Sequence, residues 1–153
     1  MKKICAAILA IMMMLGCCAA LAEEDPIVPM PKEAAGFEGN WACGRATIEM
    51  IWEEEGFRVA VAWGSSAAER TEWEYNCTYD ADSHSVKSVL NNGTKTECVY
   101  DETGTMTSFK TVYEDGEAVF TLDGENHLIW KDLKEDAGKD MAFEYAGPIA
   151  DVM

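Results

Sequence analysis

Glu72 and Glu74 are two carboxylates separated by one residue within an alternating apolar–polar run. Alternation places them on the same side of a strand, as paired acids must be for glycoside hydrolysis. The chain holds 28 acids, so such pairs arise by chance, and this one reads as a solvated face. The only histidines, His84 and His127, fall at turns or strand ends. Neither lies near a Gly-x-Ser-x-Gly elbow, and no reactive-cysteine signature is present, so nucleophilic catalysis finds no support. A zinc site needs His or Cys in closer groups than these. Asp80-Ala81-Asp82 and Asp101-Glu102 could ligate calcium, yet neither extends into a full calcium loop. The reading is a protein with no catalytic residues, no metal and no cofactor.

What positions any remaining chemistry is decided first by the N-terminus. Met1-Lys2-Lys3 is a short positive start, Ile4 to Leu15 is apolar, and Ala20-Leu21-Ala22 offers small residues for cleavage. Residues 1–22 therefore read as an export signal of bacterial type. Met14-Leu15-Gly16-Cys17 also resembles a bacterial lipobox. In that case Cys17 carries a lipid and the chain is tethered to the envelope rather than secreted. The sequons at Asn76 and Asn92 are expected to stay unmodified in such a setting.

The formal charge is −16, and Lys2 and Lys3 leave with the signal, so the mature chain carries −16 − 2 = −18. A surface this acidic repels phosphate backbones and anionic headgroups, which excludes nucleic acid and leaves a lipid anchor as the one route to a membrane. The permitted partners are a small-molecule ligand or a basic protein. About 130 mature residues allow one domain with one core.

Residues 23–38 hold three of the four prolines and read as a flexible linker. From Gly39 to residue 146 the pattern has period two. Ala46, Ile48, Met50 and Trp52 alternate with polar or smaller residues, as do Phe57, Val59, Val61 and Trp63, then Trp73, Tyr75, Cys77 and Tyr79. Turn residues cut the second half into strands near 86–90, 94–100, 105–113, 117–122, 127–132 and 141–145. Ser66 and Glu69 form a capping box that predicts a short helical turn. The fold expected is all-β: an antiparallel up-and-down meander of eight or nine strands closing into a small barrel, with 147–153 as a tail. A two-sheet sandwich is the alternative.

Gly39-Asn40-Trp41, just before the first full strand, resembles the opening of lipocalins and avidins (calycins). That resemblance implies an eight-stranded barrel with the Trp plugging one end. Gly44 shifts the alternation between Trp41 and Ile48, which predicts a bulge. The inward positions are bulky: Met50, Trp52, Phe57, Trp63, Trp73, Tyr75, Phe109, Tyr113, Phe120, Trp130 and Phe143. So many large side chains fill an eight-stranded lumen and leave only a shallow mouth pocket, near Trp63, Trp73 and Tyr75 beside the 65–71 loop.

Cys43, Cys77 and Cys98 remain after export, an odd number. A hairpin at Asn91–Gly93 would set Cys98 opposite Val86, while a tight turn near Asp82 sets Cys77 opposite Ser88. Two strand spacings, about 9.5 Å, would then separate Cys77 from Cys98. That exceeds the roughly 7 Å limit for a disulfide, so three mostly buried free thiols are expected. The function these features point to is a non-catalytic exported binding protein, taking a small molecule at the barrel mouth or a protein on its acidic wall. The alternative is an inhibitor of an exported lysozyme or metalloprotease, since a basic lysozyme would be steered toward a −18 surface.

Overall fold

Where the sequence alternates, strands form, and their burial alternates with them. The computed structural model describes residues 28–150, so residues 1–22, read above as an export signal, lie outside the described residues, Cys17 among them. A 3-10 helix, Lys32–Phe37, precedes ten strand segments. These are β1 (Gly39–Cys43), β2 (Ala46–Glu53), β3 (Gly56–Gly64), β4 (Glu69–Asp80) and β5 (Ser85–Ser88). There follow β6 (Gly93–Tyr100), β7 (Met106–Gly116), β8 (Ala118–Leu122), β9 (Leu128–Asp132) and β10 (Ala142–Gly147). All pairings are antiparallel. Around the ring run β3, β2, β1, β10, β9, β8, β5 and β4, and pairing of β4 with β3 closes it. This closed eight-stranded barrel is the architecture that the calycin resemblance implies. No helix among the described residues is long and apolar enough to cross a membrane.

β6 and β7 stand outside the ring, and their origin is a break in register. β5 and β6 lie along the same edge of β4, Ser88 opposite Cys77 and Thr94 opposite Glu74. The chain takes six steps from Ser88 to Thr94 while β4 takes three between their partners. The surplus is absorbed at Asn91, which turns left-handed at φ 52°. It is held by Val89 N–H donating to Asn76 O (2.8 Å) and Asn76 N–H donating to Asn92 Oδ1 (3.1 Å). The meander therefore survives as a long hairpin whose lower half, β5 with β8, belongs to the barrel. Its upper half, β6 with β7, forms an arm.

This corrects the expected hairpin at Asn91–Gly93. The chain runs on there instead of reversing, and Cys98 pairs with Arg70 and Phe109, not Val86. Gly93 is needed for close approach rather than for a turn. A Cβ on it would lie 2.5 Å from Cε1 of Tyr75 and 2.7 Å from Gly116 O. Cys77 does lie opposite Ser88, and Cys43, Cys77 and Cys98 are free thiols.

Four further expectations are corrected. Trp41 and Ile48 share a face without a bulge between them, because Gly44 (φ 60°) and Arg45 make a two-residue turn that pairs Trp41 directly with Ile48. Ser66 and Glu69 cap no helix: Ser66 Oγ accepts from the Ala68 and Glu69 amides within the β3–β4 turn. Residues 32–37, expected within the linker, belong to the barrel, because Ala34 and Phe37 bury apolar side chains in its core. Phe37 O also accepts from Trp41 Nε1 at 3.0 Å, so the helix and Trp41 close that end together. Phe109, expected inside, is 68% exposed because it sits on the arm and not in the ring.

The lumen is filled. Trp41, Trp73, Trp130, Phe57, Phe120, Phe143 and Tyr75 are all buried, with Ile48, Met50, Val59, Val61 and Leu128 between them. Trp73 meets Trp130 edge-on at 5.1 Å, and Tyr75 meets Phe120 at 5.9 Å, geometries that suit the quadrupoles of aromatic rings. Each such side chain contributes about 1.5–3 kcal/mol by burial alone. Loop 133–141 packs beside the base of the arm. Buried Asp132 anchors it by accepting from the amides of Lys134 (3.0 Å) and Ala137 (3.3 Å). Ion pairs Lys95–Glu135 and Lys134–Asp115 then tie the loop to β6 and β7.

Candidate protein-recognition surface

The open relief of this molecule is on its outside. On β3 the outward residues Ala60 and Ala62 have almost no side chain, while their neighbours on β2 and β4 are larger. Glu49 and Glu74 flank Ala60, and Thr47 and Glu72 flank Ala62. The deficit leaves a cleft of about 340 Å³ along the wall, lined by those six residues together with Asn40 and Arg70. A second cleft of about 270 Å³ lies on the other side of the Glu72–Glu74 ridge, where the sheet continues onto the arm. It is lined by Thr94, Thr96 and Cys98 of β6 and by Met106 and Phe109 of β7. A floor of alanines, an acidic ridge, a floor of threonines and an aromatic rim thus form one continuous outer face.

The two acids of the ridge differ. Glu72 is committed: Arg70 pairs with it, and Tyr100 donates its hydroxyl to Glu72 Oε1 at 2.9 Å. The Arg70 guanidinium lies 4.2 Å from the centre of the Tyr100 ring, a cation–π contact. Burial and then the Glu72 carboxylate raise the Tyr100 hydroxyl, and the same order of causes raises the Cys98 thiol. Glu74 has no ion pair or side-chain hydrogen bond among the described residues, which leaves its carboxylate available to a cation. Glu72 and Glu74 do share a face, as the alternation predicted.

The predicted mouth residues separate. Trp73 and Tyr75 are core side chains, and Trp73 Nε1 donates to Tyr113 Oη at 3.1 Å. Burial pushes Tyr113 up to about 12, with Asp132 adding to it, and raises Tyr75 further still. Tyr75 Oη and Trp130 Nε1 are buried without a hydrogen-bond partner among the described residues. Trp63 is partly buried at the end of β3, opposite Ala46 and Thr71.

The histidines sit on turns. His84, at φ 47°, contacts Tyr79 Oη through Nδ1 at 3.2 Å. His127 Nδ1 lies 3.0 Å from Asp123 Oδ2, and this hydrogen bond raises its pKa. Glu125 completes an acid–acid–histidine group, but Asp123 Oδ1 is already used in accepting the amides of residues 125 and 127. Sequence reasoning missed the arm and Phe109. The available signal was the run Met106-Thr-Ser-Phe-Lys-Thr-Val112, in which the apolar residues Met106, Phe109 and Val112 recur every third position instead of every second. The chain matches no protein-family model, no curated protein and no solved structure.

Proposed function

We propose that the chain is a non-catalytic exported binding protein of calycin-like kind that recognises a basic protein on the outside of its barrel. The observation that carries this reading is the filled lumen set against an outer face with two open clefts and a free carboxylate at Glu74. A −18 mature surface accelerates encounter with a cationic partner and makes association salt-sensitive. Glu49, Glu74 and Phe109 supply the contacts: carboxylates for Lys or Arg, and an exposed ring for an apolar or guanidinium group.

The same surface would serve an inhibitor of an exported hydrolase, and a basic lysozyme is the natural probe of both readings. Binding is expected at low salt, weakening as ionic strength rises, and weakening further in Glu49→Gln with Glu74→Gln. Suppression of lysozyme turnover in parallel would make the protein an inhibitor, and binding without it a carrier or adaptor. A small hydrophobic compound that quenches tryptophan fluorescence and raises the melting temperature, with no binding to basic proteins, would move the site to the barrel mouth beside Trp63.

A further inference from the structure

The cleft along β3 is bracketed by acids at its floor. Ala60 has Glu49 directly across from it on β2 and Glu74 directly across on β4. With strands about 4.8 Å apart, the two glutamate backbones stand roughly 9.5 Å from each other. In that row only the methyl group of Ala60 lies between them, and Ala62 continues the floor.

The cations of this wall already have partners. Arg70 pairs with Glu72 and lies against the Tyr100 ring. Arg58 donates to Glu53 at 3.0 Å, reaches Glu49 at 3.8 Å, and is attracted more weakly by Glu74. Four carboxylates, Glu49, Glu53, Glu72 and Glu74, therefore share two guanidiniums. The two left least satisfied, Glu49 and Glu74, are the pair that brackets Ala60.

A long cationic side chain completes such an arrangement. Its stem packs on the alanine methyl groups while its head lies between the carboxylates. Arginine suits the gap better than lysine. Its planar guanidinium offers N–H donors along more than one edge, so it can serve a carboxylate on each side. It is also more weakly hydrated than a compact ammonium. The cleft, of about 340 Å³, has room for one such side chain.

We propose that the cleft over Ala60 is a single-residue socket that seats an arginine of the partner between Glu49 and Glu74. The socket rests on the proposed recognition of a basic protein and adds the residue by which that partner is selected.

The test uses the mature chain at low salt with two kinds of probe. One is a basic lysozyme; the other is a set of end-blocked pentapeptides, Gly-Gly-X-Gly-Gly, with arginine, lysine or glutamine at X. With alanine methyl groups labelled for NMR, the arginine peptide should shift the Ala60 and Ala62 signals saturably. The lysine peptide should shift them less and the glutamine peptide not at all. Ala60→Leu fills the floor without changing the charge and should weaken lysozyme binding at least about tenfold, as loss of a central contact does. Thr78→Leu, exposed on β4 outside this cleft, should stay within about twofold. Glu74→Gln should cost more than Glu102→Gln, which removes the same charge from the exposed β6–β7 turn. The methyl shifts need no variant, so they decide the matter even if Ala60→Leu fails to fold. Lysozyme bound equally by Ala60→Leu and Thr78→Leu, with no arginine-dependent shift at Ala60 and Ala62, would overturn the socket and leave recognition by the acidic surface standing. Lysozyme left unbound would count against that recognition, while arginine-dependent methyl shifts would still uphold the socket. Equal shifts from arginine and lysine would overturn the choice of arginine.

Discussion

Phe120 and Phe109 look alike in sequence, and the arm makes them opposites. Phe120 on β8 is 0% exposed and packs against Tyr75 inside the barrel, whereas Phe109 on β7 is 68% exposed. Burying a phenylalanine fully stabilises by about 1.5–3 kcal/mol, and the cavity left on truncation brings Phe→Ala in a core to about 3–5 kcal/mol. With a third of its surface covered, Phe109 should contribute roughly a third of the burial value, about 0.5–1 kcal/mol, with no cavity term. For a domain of this length each kcal/mol moves the melting temperature by about 4 °C. Phe120→Ala should thus lower it by ~12–20 °C and Phe109→Ala by ~2–4 °C. Both variants can be followed by calorimetry or far-ultraviolet circular dichroism. Equal losses would place Phe109 in the core, restore an ordinary meander and remove the arm from the fold.

Other outcomes follow from the same geometry. Gly93→Ala drives a methyl group into the buried Tyr75 ring and the Gly116 carbonyl and should cost about 1–3 kcal/mol in urea unfolding. Gly124→Ala meets nothing within 4 Å and should stay within about 0.5 kcal/mol, so similar losses at both sites would contradict the packing described. In the folded chain lacking residues 1–22 a disulfide reagent should modify Cys43 first. Burial pushes Cys77 up to about 12 and also raises Cys98, so both should react only after unfolding, and rapid labelling of all three would refute their burial. The His127 imidazole should titrate above its ordinary value of about 6.5, and Asp123 below its ordinary value of about 3.9. The raised histidine contributes fully below about 6.5 and its contribution fades as pH rises through the folded value. The lowered acid contributes above about 3.9 and fades as pH falls through its folded value. Asp123→Asn should bring the His127 proton-resonance midpoint back down, and an unchanged midpoint would mean that the pair does not form in solution.

Period-two alternation was enough to read the barrel and most of its strands, because a strand with one buried face must alternate wherever the chain is cut. Trp73, Tyr75, Phe120, Trp130 and Phe143 were legible as core for that reason, and they proved to be so. The free state of the thiols was legible too, though Cys98 lies elsewhere than expected. The candidate surface was only partly legible. Glu72 and Glu74 could be placed on one outward face, but the clefts beside them depend on the short side chains of Ala60 and Ala62 standing between larger cross-strand neighbours.

What local pattern fixes is which side chains share a face; which strands lie side by side depends on register, and register is settled by contacts far apart in sequence. At Asn91–Gly93 the residues favour a reversal by every local rule. Tyr75, 18 residues earlier, needs the space above its ring, and Asn76 offers backbone partners that carry the chain straight on. That one choice splits a hairpin, lifts β6 and β7 out of the ring, turns Phe109 to solvent and leaves an open edge. Alternation along the chain contained the barrel, and contacts made in the folded state, Tyr75 against Gly93 and Asn76 with Val89 and Asn92, decided that the barrel would have an arm.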